Sequence, residues 1–288
     1  MKTEAELSAS RKHDLQPGTA YGVTDVGLVR SCNEDNFLID DTLCLIMLAD
    51  GMGGHAGGEI ASAAALTALH AHLRSAIDTA ANDMTASGDT AASALVAAHD
   101  PDATWTDDTL PAAGMVFDAI DFANETVFQE NVARDIVDDG GMGTTLTGMW
   151  RPFCGGPAIV FHVGDSRLYR YRNAQLAPLT IDQSLYQQAL DAGLLDSLPA
   201  RNMLWQAVGP APRIKPEVKV YGLAAGDLFL LCSDGLHGSV AHADIEHVLS
   251  TSAADGLALS CQRLIGLAKA EGGRDNITVI LASFDAQA

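Results

Sequence analysis

Basic residues are scarce in this 288-residue sequence: 17 Lys and Arg stand against 37 Asp and Glu, a formal charge of −20. A field of that sign repels nucleic-acid backbones and anionic lipid headgroups, so no nucleic-acid partner and no membrane partner is expected. Paired cysteines are missing too. The five present, Cys32, Cys44, Cys154, Cys232 and Cys261, are odd in number and contain no CxxC spacing. That argues for reduced thiols and a cytoplasmic location, not a disulfide framework. Long hydrophobic runs are absent. The strongest, Leu43 to Ala49, falls far short of the roughly 20 residues a membrane helix needs. The opening residues MKTEAELSASRKHDL carry no apolar stretch of the kind a secretory leader requires, so none is expected. No GxxxxGK[ST] phosphate loop and no internal repeat occurs.

What is present is globular: 48% hydrophobic and 19% charged residues. A domain of this length buries about three quarters of its extended-chain surface and needs no covalent staple. Residues 1–18 are polar and read as a flexible N-terminal tail, leaving 19–288 as a single domain. Ala- and Leu-rich residues 59–77 and periodic residues 112–135 predict helices. Between them, 78–111 carry seven aspartates and no Lys or Arg, and read as an acidic surface insertion. Strands are expected at 144–150, 158–163, 167–172, 215–222, 227–232 and 277–283, with helices near 242–250 and 254–270. Residues 183–208 read as mostly helical or irregular. Strands come in groups and helices in pairs, which argues an α+β fold with antiparallel or mixed sheets.

The strongest signal is the placement of aspartates. Asp50 directly follows the apolar run LCLIMLA. Asp165 follows AIVFHV and Asp234 follows LFLLC, each after one intervening residue, while Asp275-Asn276 precedes ITVIL. If the last strand runs antiparallel to the others, all four carboxylates gather at one sheet edge. Such a cluster repels itself unless cations bind, and its all-oxygen character suits Mg²⁺ or Mn²⁺ and not zinc. Asp-Gly pairs also make plain turns, a sufficient reading for one pair but a poor one for four aspartates together.

Arg30, in GLVRSCNEDN, is a residue type that clamps phosphate with two parallel hydrogen bonds; taken alone it also reads as half of a strand-edge ion pair. The loop Gly51-Met52-Gly53-Gly54-His55-Ala56 matches GxGxx[G/A], which leaves a dinucleotide site as a rival reading. Asp50 beside the loop would repel a pyrophosphate, and no second strand ending in an acidic residue follows. Gly164-Asp165-Ser166 lacks the second glycine of a GxSxG elbow, so Ser166 is a poor nucleophile candidate.

Six ordered motifs then carry a resemblance: GLVRSCNEDNF (27–37), LADGMGGHAGGEIAS (48–62), GMGTTLTG (141–148), HVGDSRLYRYRN (162–173), LLCSDGL (230–236) and GGRDNITVIL (272–281). Together they resemble the metal-dependent Ser/Thr protein phosphatases of the PP2C (PPM) type, the bacterial ones above all. The resemblance implies a four-layer αββα sandwich, two mainly antiparallel β-sheets flanked by helix pairs. It implies two Mg²⁺ or Mn²⁺ ions: Asp50 bridging both, the Gly51 carbonyl on the second, Asp234 and Asp275 on the first, and Glu34 reaching the second through water. A third ion would sit at Asp165 and Asp234. Arg30 would bind substrate phosphate, and Asp35 and Asn276 would hydrogen-bond behind the ligands. The implied activity is hydrolysis of phosphoserine and phosphothreonine on proteins by a metal-bridging hydroxide, reversing a bacterial Ser/Thr kinase. A PP2C-fold module that binds phosphoproteins without turnover is the alternative.

Three departures stand out. Met52 occupies the place where animal members carry a proposed general-acid histidine, which leaves His55 as a candidate acid. Asp182-Gln183-Ser184 replaces a frequent Asp-His-Ser at the entry to the flap-like segment 183–208. The stretch 78–111 is longer than the compact bacterial pattern needs. The flap entry LTIDQSLYQ is similar to that of phosphatases accompanying type VI secretion kinases. The expected partners are a cognate kinase and its phosphorylated substrates, and the expected state is a monomer.

Overall fold

The computed structural model describes residues 6–15, 18–53, 57–87, 109–136, 141–153, 156–194 and 198–284. In chain order the elements are β1 (Lys12–Asp14), β2 (Thr19–Asp25), β3 (Asp35–Asp40), β4 (Leu45–Met52), α1 (Gly57–Ser87) and α2 (Thr109–Ala133). Then come β5 (Gly143–Thr144), β6 (Leu146–Trp150), β7 (Ala158–Val163), β8 (Arg167–Arg172), β9 (Gln175–Pro178) and α3 (Leu185–Asp191). The chain closes with β10 (Glu217–Tyr221), β11 (Leu228–Cys232), α4 (Asp234–His237), α5 (His242–Asp255), α6 (Leu257–Ala270) and β12 (Ile277–Ser283).

The strands form two sheets, ordered β1-β2-β12-β11-β8-β9 and β10-β7-β6-β4-β3, with β5 attached to β4. Their pairings are antiparallel. Each central strand is apolar on both faces, because each sheet is covered twice. In β4, Leu45, Met47 and Ala49 face α1 and α2, while Ile46 and Leu48 face the other sheet. In β11, Leu228, Leu230 and Cys232 face α5 and α6, while Phe229 and Leu231 meet Phe37 and Ile280 between the sheets. The result is the α+β four-layer sandwich that the motifs imply, with the core in three apolar layers.

The structure differs from the sequence reading in two places. The supposed tail 1–18 contributes β1, which pairs with β2, and Leu15 is buried between the sheets. A three-residue strand reading Lys-His-Asp has almost no periodic signal, and its buried His13 looks polar on paper. Helix α1 runs to Ser87, well into the segment read as an insertion, although residues 78–87 (DTAANDMTAS) are mostly weak helix formers. Residues 88–108 of that segment lie outside the described residues. The β8–β9 connection is the two-residue turn Asn173-Ala174, both residues taking positive φ as a tight hairpin requires.

Candidate active site

The topology brings the aspartates together. Strands β4 and β7 both run antiparallel to β6, so Asp50 and the Gly164-Asp165 turn leave the same edge of one sheet. In the other sheet β12 runs antiparallel to β11, so Asp275 at its start meets Asp234 after the end of β11. Stacking the sheets places the pairs side by side. Burial pushes the Asp234 carboxyl up to about 6, helped by Asp275 and opposed by Arg30. Burial pushes Asp165 up to about 7, helped by Asp234 and Asp182. Asp50 lies at the centre: burial, then Asp35, Asp234, Asp165 and Asp275, hold its carboxyl well above the usual carboxylate range.

Backbone bonds fix Asp50 from both sides. Its N–H donates to Thr145 Oγ1 (2.9 Å), and its carbonyl accepts from Thr145 N–H (2.9 Å) and Thr144 Oγ1 (2.9 Å). Thr145 Oγ1 also hydrogen-bonds Ser166 Oγ at 2.8 Å, which ties the Asp50 strand to the Asp165 turn. Gly51 N–H donates to the Glu34 carbonyl (3.2 Å), and any side chain at 51 would collide with the backbone of Gly58 and of Glu34. Only glycine lets α1 approach so closely.

Asp35 sits opposite Asp50 in the β3–β4 register and is 3% exposed. One carboxylate oxygen accepts from Ser233 (2.8 Å) and Thr278 (2.7 Å); the other, Oδ1, meets no donor. Burial raises its pKa to about 7, against those two hydrogen bonds, and Asp50 is the other carboxyl within hydrogen-bonding reach. Two facing carboxyls with an orphaned oxygen call for a shared proton or a cation. Asn276 knits the next loop: its amide donates to the carbonyls of Val26 (3.1 Å) and Cys32 (2.9 Å), and its oxygen accepts from Glu34 N–H (2.8 Å). Asn276→Ala removes the side-chain partners of three partly buried backbone groups, so denaturant unfolding is expected to show a loss of about 2 kcal/mol. An unchanged midpoint would contradict that role.

Arg30 Nη2 donates to Asp275 Oδ2 at 2.8 Å, and this bond raises its pKa. The structure thus joins Arg30, Glu34, Asp35, Asp50, Gly51, Asp165, Asp234, Asp275 and Asn276 at one rim. His55 lies outside the described residues. Sequence reasoning missed Thr145, Ser233 and Thr278, although all three stand in the quoted GMGTTLTG, LLCSDGL and GGRDNITVIL motifs. It also missed His237, whose Nε2 bonds the Asp165 carbonyl at 3.0 Å. A carbonyl only accepts, so Nε2 carries the proton, and burial lowers this imidazole to about 4, keeping it neutral.

Fold and site define a two-sheet sandwich with an acidic, all-oxygen centre and Arg30, paired with Asp275, at its rim. The family model for protein phosphatase 2C matches residues 29–265, and the chain belongs to that family. It is 34% identical over 266 residues to the serine/threonine protein phosphatase PstP of Mycobacterium tuberculosis, covering 90% of this chain but 43% of that protein. The crystal structure of the PstP catalytic domain with two manganese ions superposes with a TM-score of 0.69 at 31% identity, covering 92% of this chain and 97% of that one. PppA, described as a regulatory component of the type VI secretion system in Pseudomonas aeruginosa, superposes with a TM-score of 0.72 at 28% identity, covering 97% and 100%. The chain therefore spans under half the length of the curated mycobacterial relative.

Proposed function

We propose that this chain is a metal-dependent protein phosphatase that removes phosphate from phosphoserine and phosphothreonine in proteins. The observation that carries the reading is the carboxylate row itself: Asp50, Asp165, Asp234 and Asp275 at adjoining sheet edges, with Arg30 beside them. The donor set fits hard divalent cations. It is all oxygen, the neighbouring buried Asp35 Oδ1 has no donor, and its carboxyls raise one another's pKa. Asp50, the Gly51 carbonyl, Asp234, Asp275 and, through water, Glu34 would hold two Mg²⁺ or Mn²⁺ ions. Asp165 and Asp234 would hold a third. The manganese-loaded relative supports this choice of metal. Bound cations supply a water acid enough to act as nucleophile and neutralise charge on the phosphoryl oxygens.

The chain's own groups do the rest. Asp35, held by Ser233 and Thr278, positions Asp50 from behind. Asn276 fixes the loop that carries Arg30 and Glu34. Arg30 offers a two-pronged clamp to the phosphate, whose equatorial oxygens bear the charge in the transition state. His55 is retained as a candidate proton donor to the leaving alkoxide. Every proposed ligand position carries an oxygen donor, which speaks against a module that binds without turnover.

Among the described residues, no three His, Cys, Asp or Glu side chains stand close enough to cage an ion as they are. Arg30 is ion-paired to Asp275, one of the proposed ligands. Arg30 and a cation therefore compete for one carboxylate. Replacing Arg30 by Ala is expected to raise KM for a phosphothreonine peptide roughly 10- to 100-fold. Titration calorimetry of the same variant is expected to show Mn²⁺ bound at least as tightly as in wild type. Weakened Mn²⁺ binding, or an unchanged KM, would contradict the role given to Arg30.

The partners in this reading are a Ser/Thr kinase and its phosphorylated targets. The likeness to PppA and the flap entry LTIDQSLYQ favour a kinase of a type VI secretion system. The cleft draws on one chain, consistent with a monomer. Among the described residues no helix is long and apolar enough to cross a membrane. A cytoplasmic location rests on cysteine usage.

A further inference from the structure

Arg30 does not emerge from a polar rim. The two residues before it, Leu28 and Val29, are 62% and 67% exposed, among the most exposed large apolar side chains described. A lone exposed leucine is ordinary, but adjoining exposed apolar side chains beside a site mark a contact surface. Flexibility does not explain them, because the turn beneath them is fastened at every step. Gly27 N–H donates to Asp25 Oδ1 (2.9 Å), Leu28 N–H donates to the Gly273 carbonyl (2.7 Å), and the Val26 carbonyl accepts from Asn276 (3.1 Å). Gly27 holds φ near +79°, and a side chain there would strike the carbonyl of Asp275. Lys269 in turn holds Asp25 at 2.9 Å. The backbone leading into the apolar pair is thus held before binding, which limits the ordering cost to the side chains.

Position decides the occupant. Consecutive Cα atoms lie about 3.8 Å apart, so the backbone of the apolar pair directly adjoins that of Arg30 on the same turn. Residues flanking a phosphoresidue held by Arg30 would meet the exposed surface of this same turn, which Leu28 and Val29 supply. An acidic flank would meet the −20 field of the protein, whereas an apolar flank loses water from both partners.

Resting on the phosphatase reading, we propose that Leu28 and Val29 form a lip that reads the residue beside the phosphoresidue and selects substrate proteins carrying a bulky apolar side chain there.

Two phosphothreonine peptides test it, identical except that leucine or serine stands on both sides of the phosphothreonine. Wild type is expected to prefer the leucine peptide about tenfold in kcat/KM, through KM, the range one apolar group contributes in a pocket. In Leu28→Ser/Val29→Ser the preference falls to about threefold or less. Leu28→Met/Val29→Ile restores it, which a purely structural role for the turn would not require. No preference in wild type, or a preference kept in the serine variant, would overturn the lip. If wild type released phosphate from neither peptide nor p-nitrophenyl phosphate with Mn²⁺, the phosphatase reading would fall. Fluorescence anisotropy with the same intact peptides then reads the lip directly: a leucine preference lost in the serine variant supports it, and equal binding of both peptides overturns it.

Discussion

Asp50→Asn is expected to lower kcat on a phosphothreonine peptide roughly a thousandfold or more while making the metal-free protein harder to unfold. Both halves come from one cause. Asp50 is the carboxyl on which Asp35, Asp165, Asp234 and Asp275 all act, and burial already disfavours its charge. An amide of the same shape keeps the backbone bonds to Thr144 and Thr145 and removes the repulsion. It also removes the anion that a cation needs. Thermal unfolding with and without Mn²⁺ separates the two effects. Wild type is expected to gain stability with Mn²⁺ by mass action, and the variant is expected to start higher and gain little. A variant that melts lower than metal-free wild type would show Asp50 to be a structural residue.

Asp165→Asn is expected to stabilise the metal-free protein by about 3–4 kcal/mol at pH 8 and by almost nothing at pH 4. The sign follows from the direction of the shift. Burial raises the folded Asp165 to about 7, whereas an unfolded aspartate titrates near 3.8. Below the unfolded value both states hold the proton and wild type matches the amide. As pH rises through the folded value, the folded state must lose its proton in a buried place beside Asp234, and that contribution to stability is lost. Urea unfolding of both proteins in chelator, across pH 4 to 8, measures the difference directly. A difference that stayed flat with pH would mean that Asp165 carries no buried charge.

The parts of this site legible in the sequence are those with a one-dimensional signature. Aspartates abutting apolar runs predict carboxylates at strand ends, and the antiparallel β11–β12 pairing turns that pattern into a cluster. Arg30, Glu34 and Asn276 came with their motifs. The layer behind the cluster left no such trace. Thr145, Ser166, Ser233 and Thr278 are small hydroxyl residues that elsewhere face solvent, and only stacking the sheets shows that they are buried and bonded. His162 is similar: it is buried in β7, bonded to Thr147 at 2.8 Å, and lowered by burial to about 4. Its neighbours are set by sheet stacking, which no local pattern encodes. The Arg30–Asp275 pair was likewise hidden, since its members lie 245 residues apart in the chain.

The most direct test of the central claim is release of inorganic phosphate from a phosphothreonine peptide by the wild-type protein, measured in Mn²⁺, after EDTA, and after Mn²⁺ is restored. Turnover that stops with chelation and returns with metal is the expected result. Turnover that persists through chelation, or a folded protein that binds Mn²⁺ at the carboxylate row yet releases no phosphate, would contradict it.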